Sequence, residues 1–356
     1  PGYGGSTRLS PWGGSSGGSS GGNGQLLPGS QGLSTSTLGT ATAAQEVGVV
    51  DIDTVLDYGS GEAAGTGLVL TSSGEILTNN HVVEGSTTIT VTIVTTGQSY
   101  PATVVGTDAT DDIAVIQLTG AAGLGTANLA GAPVQVGDAV TGVGNAGGTG
   151  GTPSASPGAV TAANQTITTQ AEDSAAAETL NGLIETNADI QAGDSGGPLF
   201  DSADQVVGID TAAEQGGYTT AGYAIPISTA VSIAGQIDSG QASATVTIGY
   251  PAFLGVQVSG SASGHSSLQN GYRYQQPTTT AGALISGVVS GAPADSAGLT
   301  AGDTITGIDD TTIGSASALT SALAGHTPGQ SVTISWIDAA GAAHSGSVTL
   351  ASGPAA

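Results

Sequence analysis

The sequence predicts a mainly β protein: an all-β barrel domain of roughly 190 residues followed by a small α+β module of roughly 100. Three observations carry this. Short runs rich in β-branched residues recur along the chain, several alternating apolar and polar with period two, and Gly punctuates them. Gly accounts for 61 of 356 residues and aromatics for only 3%, so the core must come from Val, Ile, Leu and Ala. Helical periodicity is confined to a few short segments.

The first 45 residues stand apart. Thirteen are Gly and nine are Ser, a composition that cannot bury enough apolar area to offset its ordering entropy. Residues 1–45 therefore read as a flexible tether, or as a tail without a task. The barrel domain spans 46–240. Its strand candidates include Gly67–Leu70, Thr88–Val94, Ile113–Leu118 and Val206–Ile209, and a helix is expected near Ser228–Asp238, after Pro226. Gln241–Val246 reads as a linker, and the second module occupies 247–352. There, strands are expected at Phe253–Val258, Ala283–Val289, Thr304–Ile308, Val332–Ile337 and Gly346–Leu350. A short helix near Ala292–Leu299 ends at Gly298, and Ala316–Leu323 forms an amphipathic one. Ser259–Thr280 lacks an apolar period and reads as an inserted surface loop.

Charge narrows the function. Two Lys+Arg against 27 Asp+Glu give a net charge of −25. Phosphate contacts need basic side chains, so no nucleic-acid partner is expected, nor a polybasic hold on a membrane. There is no Cys, hence no disulfide, thiol nucleophile or thiolate metal site. Charged residues are 8% and mean hydropathy is +0.16, unlike a disordered acidic chain. No metal site and no cofactor are expected, because the four His are scattered and Asp51-Ile52-Asp53 lacks the rest of a calcium loop.

Gly193-Asp194-Ser195-Gly196-Gly197-Pro198 is the strongest chemical signal. A nucleophilic Ser must project from a tight turn whose N–H groups also face a developing oxyanion, and Gly permits that backbone. The oxyanion site is assigned to Gly193, Asp194 and Ser195. Serine needs a base and an orienting acid. Of the four His, His81 lies at a strand end in the barrel domain, whereas His265, His326 and His344 lie in the second module. Asp108, Asp111 and Asp112 are the acids in the segment between. Asp112 directly precedes the apolar run Ile113–Leu118 and is the best placed beneath a histidine.

Thr78–Val83, Asp112–Ile116 and Gly193–Leu199 together resemble the HtrA (DegP-like) serine proteases, a branch of the trypsin fold. Val143–Gly147 is similar to that family's Gly-Asn loop, and Tyr223–Pro226 to its last barrel strand. The second module resembles its PDZ domain. The resemblance implies two six-stranded barrels with His81, Asp112 and Ser195 between them. It implies unfolded or extended protein substrates, and peptide C-termini received by Phe253, Leu254, Gly255 and Val256. A homo-oligomer, a trimer among them, and an extracellular or cell-envelope setting are also implied. The tether and the Ala/Thr/Gly-rich composition resemble actinobacterial envelope proteins. Asp189 and Ile190 fall where trypsin-like folds form the specificity pocket. Asp189 there would favour Lys or Arg, with self-cleavage after Arg8 or Arg273; pointing to solvent, it would leave a small aliphatic pocket. The alternative function is a non-catalytic peptide-binding scaffold, and a chaperone-like holdase is compatible with either.

Overall fold

The computed structural model describes residues 38–56, 59, 61–170, 177–216, 219–259 and 281–355. Arg8, Arg273, His265, nearly all of the tether and nearly all of Ser259–Thr280 lie outside the described residues.

A short β1 (Gly39–Thr40) precedes the first barrel. That barrel is built from β2 (Val49–Leu56), β3 (Gly61–Val69), β4 (Glu75–Thr78), β5 (Ser86–Ile93), β6 (Ser99–Asp108) and β7 (Ile113–Leu118), with a one-turn helix α1 (Asn80–Val83) after β4. The order β6-β5-β2-β3-β4-β7 closes through a β6–β7 pairing, giving six strands and no free edge. The second barrel repeats the scheme with β8 (Ala139–Gly144), β9 (Ser154–Gln170), β10 (Ala177–Thr186), β11 (Pro198–Asp201), β12 (Val206–Gly216) and β13 (Thr219–Pro226). Its order β9-β10-β13-β12-β11-β8 closes through β8–β9, and β1 adds to β9 from outside.

Alternation decides the interior. Val50, Ile52, Val91 and Ile116 fill the first barrel, all at most 1% exposed. A further cluster runs from one barrel into the other and joins Val49, Leu77 and Val115 to Leu183, Ile209 and Ile225. Helix α2 (Ile227–Asp238) packs on it. Its buried residues Ile227, Ala230, Ile233, Ala234 and Ile237 recur every three or four positions, one stripe of a helix. Each buried Ile contributes roughly 2 kcal/mol of transfer free energy. Gly240, at φ +68, turns the chain away after the last helical turn.

The chain then makes β14 (Val246–Ile248), which pairs with Gly106–Asp108 of β6. Thr247 and Ile248, assigned from sequence to the second module, are thus added to the first barrel's sheet. The second module comprises β15 (Ala252–Phe253), β16 (Val256–Val258), β17 (Ala283–Val288), α3 (Pro293–Ser296), β18 (Thr304–Ile308), β19 (Thr311–Thr312), α4 (Ala316–Leu323), β20 (Ser331–Ile337), β21 (Ala343–Thr349) and β22 (Ala351–Ser352). Ser315 caps α4 by accepting from the Ala318 N–H at 3.1 Å. The core of this module is Leu254, Ile285, Leu299, Ile305, Ile334 and their neighbours. Beyond β22 the chain returns to the first barrel: Gly85 N–H donates to Ala355 O at 2.9 Å, and Ala355 N–H to Ser86 O at 3.0 Å.

Candidate active site

Strand β4 leads through Asn79 into the one-turn helix α1, which carries His81. The β6–β7 turn delivers Asp112, which is 2% exposed and held at φ +52. That left-handed conformation is costly for a residue with a side chain and persists only where surroundings enforce it. Three contacts do so. Asn79 Nδ2 donates to Asp112 O at 2.9 Å, and the His81 N–H donates to Asp112 Oδ1 at 3.0 Å. His81 Nδ1 lies 2.9 Å from Oδ2 and 3.0 Å from Oδ1. The imidazole is therefore oriented by a carboxylate on its Nδ1 side.

Thr211 on β12 completes the arrangement, and sequence reasoning missed it. Its Oγ1 donates to Asp112 Oδ2, while its carbonyl accepts from Ser195 Oγ at 3.5 Å. One residue of the second barrel thus touches both the acid from the first barrel and the nucleophile candidate. The available signal was a hydroxyl residue two positions after the apolar strand Val206–Ile209, but only the barrel pairing shows which hydroxyl meets Asp112.

The Ser195 turn is braced from the first barrel. Thr66 N–H donates to Ser195 O at 2.8 Å, Thr66 Oγ1 donates to Gly193 O at 2.8 Å, and Thr78 Oγ1 donates to Thr66 O at 2.7 Å. Gly196, at φ +83, leaves no room for a Cβ: one there would meet Thr66 O and Thr78 Oγ1. The Asp194 N–H donates to Gln191 O at 3.0 Å, so this assigned oxyanion donor is occupied. The N–H groups of Gly193 and Ser195 have no acceptor among the described residues. Asn145 N–H donates to Thr66 Oγ1 at 2.9 Å, and Asn145 Oδ1 accepts from Gly150 N–H at 2.7 Å, which ties the Gly-Asn loop to the same brace.

Asp189 is half-buried. Its N–H donates to Ser156 Oγ at 2.7 Å, and its Oδ2 accepts from Gln191 Nε2 at 3.1 Å. One oxygen of its carboxylate thus meets an amide donor. Ile190 is 2% exposed. Asp194, 2% exposed, accepts from Gln191 N–H at 2.9 Å and Ser154 Oγ at 3.3 Å. Burial raises its pKa to about 6, partly offset by these hydrogen bonds.

In the second module Gly255 sits at φ +83, and a Cβ there would strike Ala292. The carbonyls of Leu254 and Gly255 accept from the N–H groups of Ala294 and Val289, both at 2.9 Å. Strand β16 follows at once, and among the described residues it is an edge of its sheet, paired only with β17. Among the described residues no group of His, Cys, Asp and Glu is arranged to hold a metal, and no helix is long and apolar enough to cross a membrane.

Comparison with known proteins agrees with this architecture. Residues 65–209 match the family described as trypsin-like peptidase domain, and residues 252–337 match the PDZ domain family. "Serine protease PepD" of Mycobacterium tuberculosis is 34% identical over 316 residues, covering 83% of this chain and 62% of that protein. A "Probable periplasmic serine endoprotease DegP-like" of Chlamydia trachomatis is 35% identical over 274 residues, covering 76% and 50%. The solved structure "HtrA-type protease AlgW with tripeptide" is 27% identical with a TM-score of 0.47, covering 87% and 97%. The chain thus spans about half to three fifths of the length of these two curated relatives.

Proposed function

The chain belongs to the HtrA-type serine proteases, trypsin-like peptidases that carry a PDZ domain, and from that premise we propose that it cleaves peptide bonds of extended or unfolded proteins through Ser195. Ser195 Oγ attacks the scissile carbonyl carbon, and His81 Nε2 takes its proton. The resulting oxyanion is received by the N–H groups of Gly193 and Ser195. Collapse breaks the C–N bond as His81 returns the proton to the leaving amine. A water molecule then repeats the sequence on the acyl-enzyme and frees Ser195. Asp112 fixes the tautomer of His81 and stabilises the imidazolium. What supports this most is the chain of contacts from His81 through Asp112 and Thr211 to Ser195.

Extended peptide C-termini would add to the open edge of β16, with the carboxylate against the Phe253–Val256 loop. Work outside the cytoplasm is proposed by analogy with relatives named periplasmic. A homo-oligomer, including a trimer, is proposed only from the family.

The test is hydrolysis of unfolded casein by the wild type and by Ser195→Ala. Loss of roughly 10⁶ in kcat with unchanged circular dichroism is expected. Undiminished cleavage by Ser195→Ala would overturn the proposal.

A further inference from the structure

The chain contains no Lys and only two Arg, Arg8 and Arg273, both outside the described residues. Among the described residues, a carboxyl buried in the barrels therefore has no Lys or Arg to pair with. His81 is the one imidazole between residues 38 and 250, and it is engaged by Asp112.

Asp210 is the extreme case. It lies on β12, is 0% exposed, and among the described residues neither carboxyl oxygen has a hydrogen-bond partner. Thr211 beside it, where the β12–β13 pairing is bulged, bonds Asp112, while Asp210 lies against another part of the barrel. There it faces β8 and the segment before the Ser195 turn. A Cβ placed on Gly142 would lie 3.1 Å from Asp210 Oδ2 and would also strike Ile190. The titratable group that acts on it is Asp194, another acid. From β8, β11 and β13, and from the segment between β10 and β11, no Lys, Arg or His faces it, since none occurs there.

The backbone of Asp210 has a definite task. Gly196 N–H donates to Asp210 O, and Asp210 N–H donates to Gly197 O, both at 2.8 Å. These two bonds hold the strand against the turn immediately after Ser195.

We infer that Asp210 is a positioning residue for Ser195 that works as the un-ionised acid: the neutral carboxyl lets β12 seat against Gly196 and Gly197, and its ionisation releases that turn. This rests on the reading of Ser195 as nucleophile. Ionisation would leave a charge buried beside a second acid without a basic partner from the surrounding strands, which is strongly unfavourable. Burial first, and then the Asp194 charge, hold the Asp210 pKa well above the ordinary carboxylate value of 3.8. For a raised pKa, the stabilisation is fully present below the unfolded value and is lost as pH rises through the folded value. The serine site then has an upper pH limit set by Asp210.

Asp210→Asn keeps the shape and cannot ionise. The first readout is thermal unfolding between about pH 4 and about pH 9 in the Ser195→Ala background, where activity plays no part. The proteins with and without Asp210→Asn should agree at the acid end. With rising pH, the unfolding constant of the protein that keeps Asp210 should grow relative to that of the Asp210→Asn variant by up to about tenfold per pH unit. In the Ser195 background, labelling by a fluorophosphonate probe should persist to higher pH in Asp210→Asn. Parallel curves in both readouts would overturn the inference. If the variant does not fold, the carboxyl carbon of Asp210 in ¹³C-aspartate-labelled protein decides: a protonated signal at neutral pH supports the inference, and an ionised one overturns it. If neither protein labels at any pH while the unfolding curves diverge, the protease reading fails and the role of Asp210 in seating the turn stands.

Discussion

Thr211→Val removes one hydroxyl and little else. The side chain is 5% exposed and β-branched, so Val fills the same space on β12. Its carbonyl, which accepts from Ser195 Oγ, is backbone and stays. What disappears is the hydroxyl donor to Asp112 Oδ2, leaving that carboxylate with the His81 N–H and Nδ1. A hydrogen bond to a charged group contributes about 1.5–3 kcal/mol, and little screening is expected at a buried site. At about 1.4 kcal/mol per decade, kcat should fall roughly 10- to 100-fold. KM should barely change, because Thr211 acts through Asp112 and His81 and not through bound substrate. Thr211→Ser should restore most of the loss. The assay is steady-state hydrolysis of a fluorogenic peptide across pH, with melting temperature as a control. A Val variant within about twofold of wild type would refute the claim that Thr211 orients the acid.

Gly196→Ala should abolish probe labelling and cost more than about 2 kcal/mol of stability, since φ is +83 and the new Cβ meets Thr66 O and Thr78 Oγ1; urea unfolding with parallel labelling checks it. Gly255→Ala should weaken binding of a fluorescent C-terminal peptide at least tenfold while basal casein cleavage persists, because its Cβ would strike Ala292 in the second module only. Ala355→Asp should loosen the segment after α1, since Ala355 is 5% exposed within the first barrel's core; faster amide exchange at Gly85 is the expected reading. Asp51 is raised to about 6 by burial, so its share of stability is lost as pH rises from about 4 through about 6, and Asp51→Asn should flatten that part of the stability curve.

Local signals and non-local pairing divided what could be read in advance. The Gly-rich turn at 193–198, His81 at a strand end and Asp112 before an apolar run are all local patterns, as is the stripe that makes α2. Thr211 is not, because its meeting with Asp112 spans 99 residues and depends on how the two barrels face each other. Asp210 was open to a chemical argument, since a chain without Lys cannot neutralise a carboxyl set in an apolar strand, but its burial depends on β8 and on Ile190. Asp189 drew attention by position alone. The structure gives its carboxyl Gln191 as a partner, and among the described residues the buried acid with neither oxygen bonded is Asp210 on β12. Strand β14 was split between the linker reading and the second module, because its partner β6 is more than a hundred residues away in sequence.

The central claim is that Ser195 is an activated nucleophile. The most direct test is incubation of the protein with a fluorophosphonate probe, followed by digestion and mass mapping of the modified residue. One adduct is expected, on Ser195, lost in His81→Ala and strongly slowed in Asp112→Asn. An unlabelled wild type across the whole pH range, or equal labelling in His81→Ala, would contradict it.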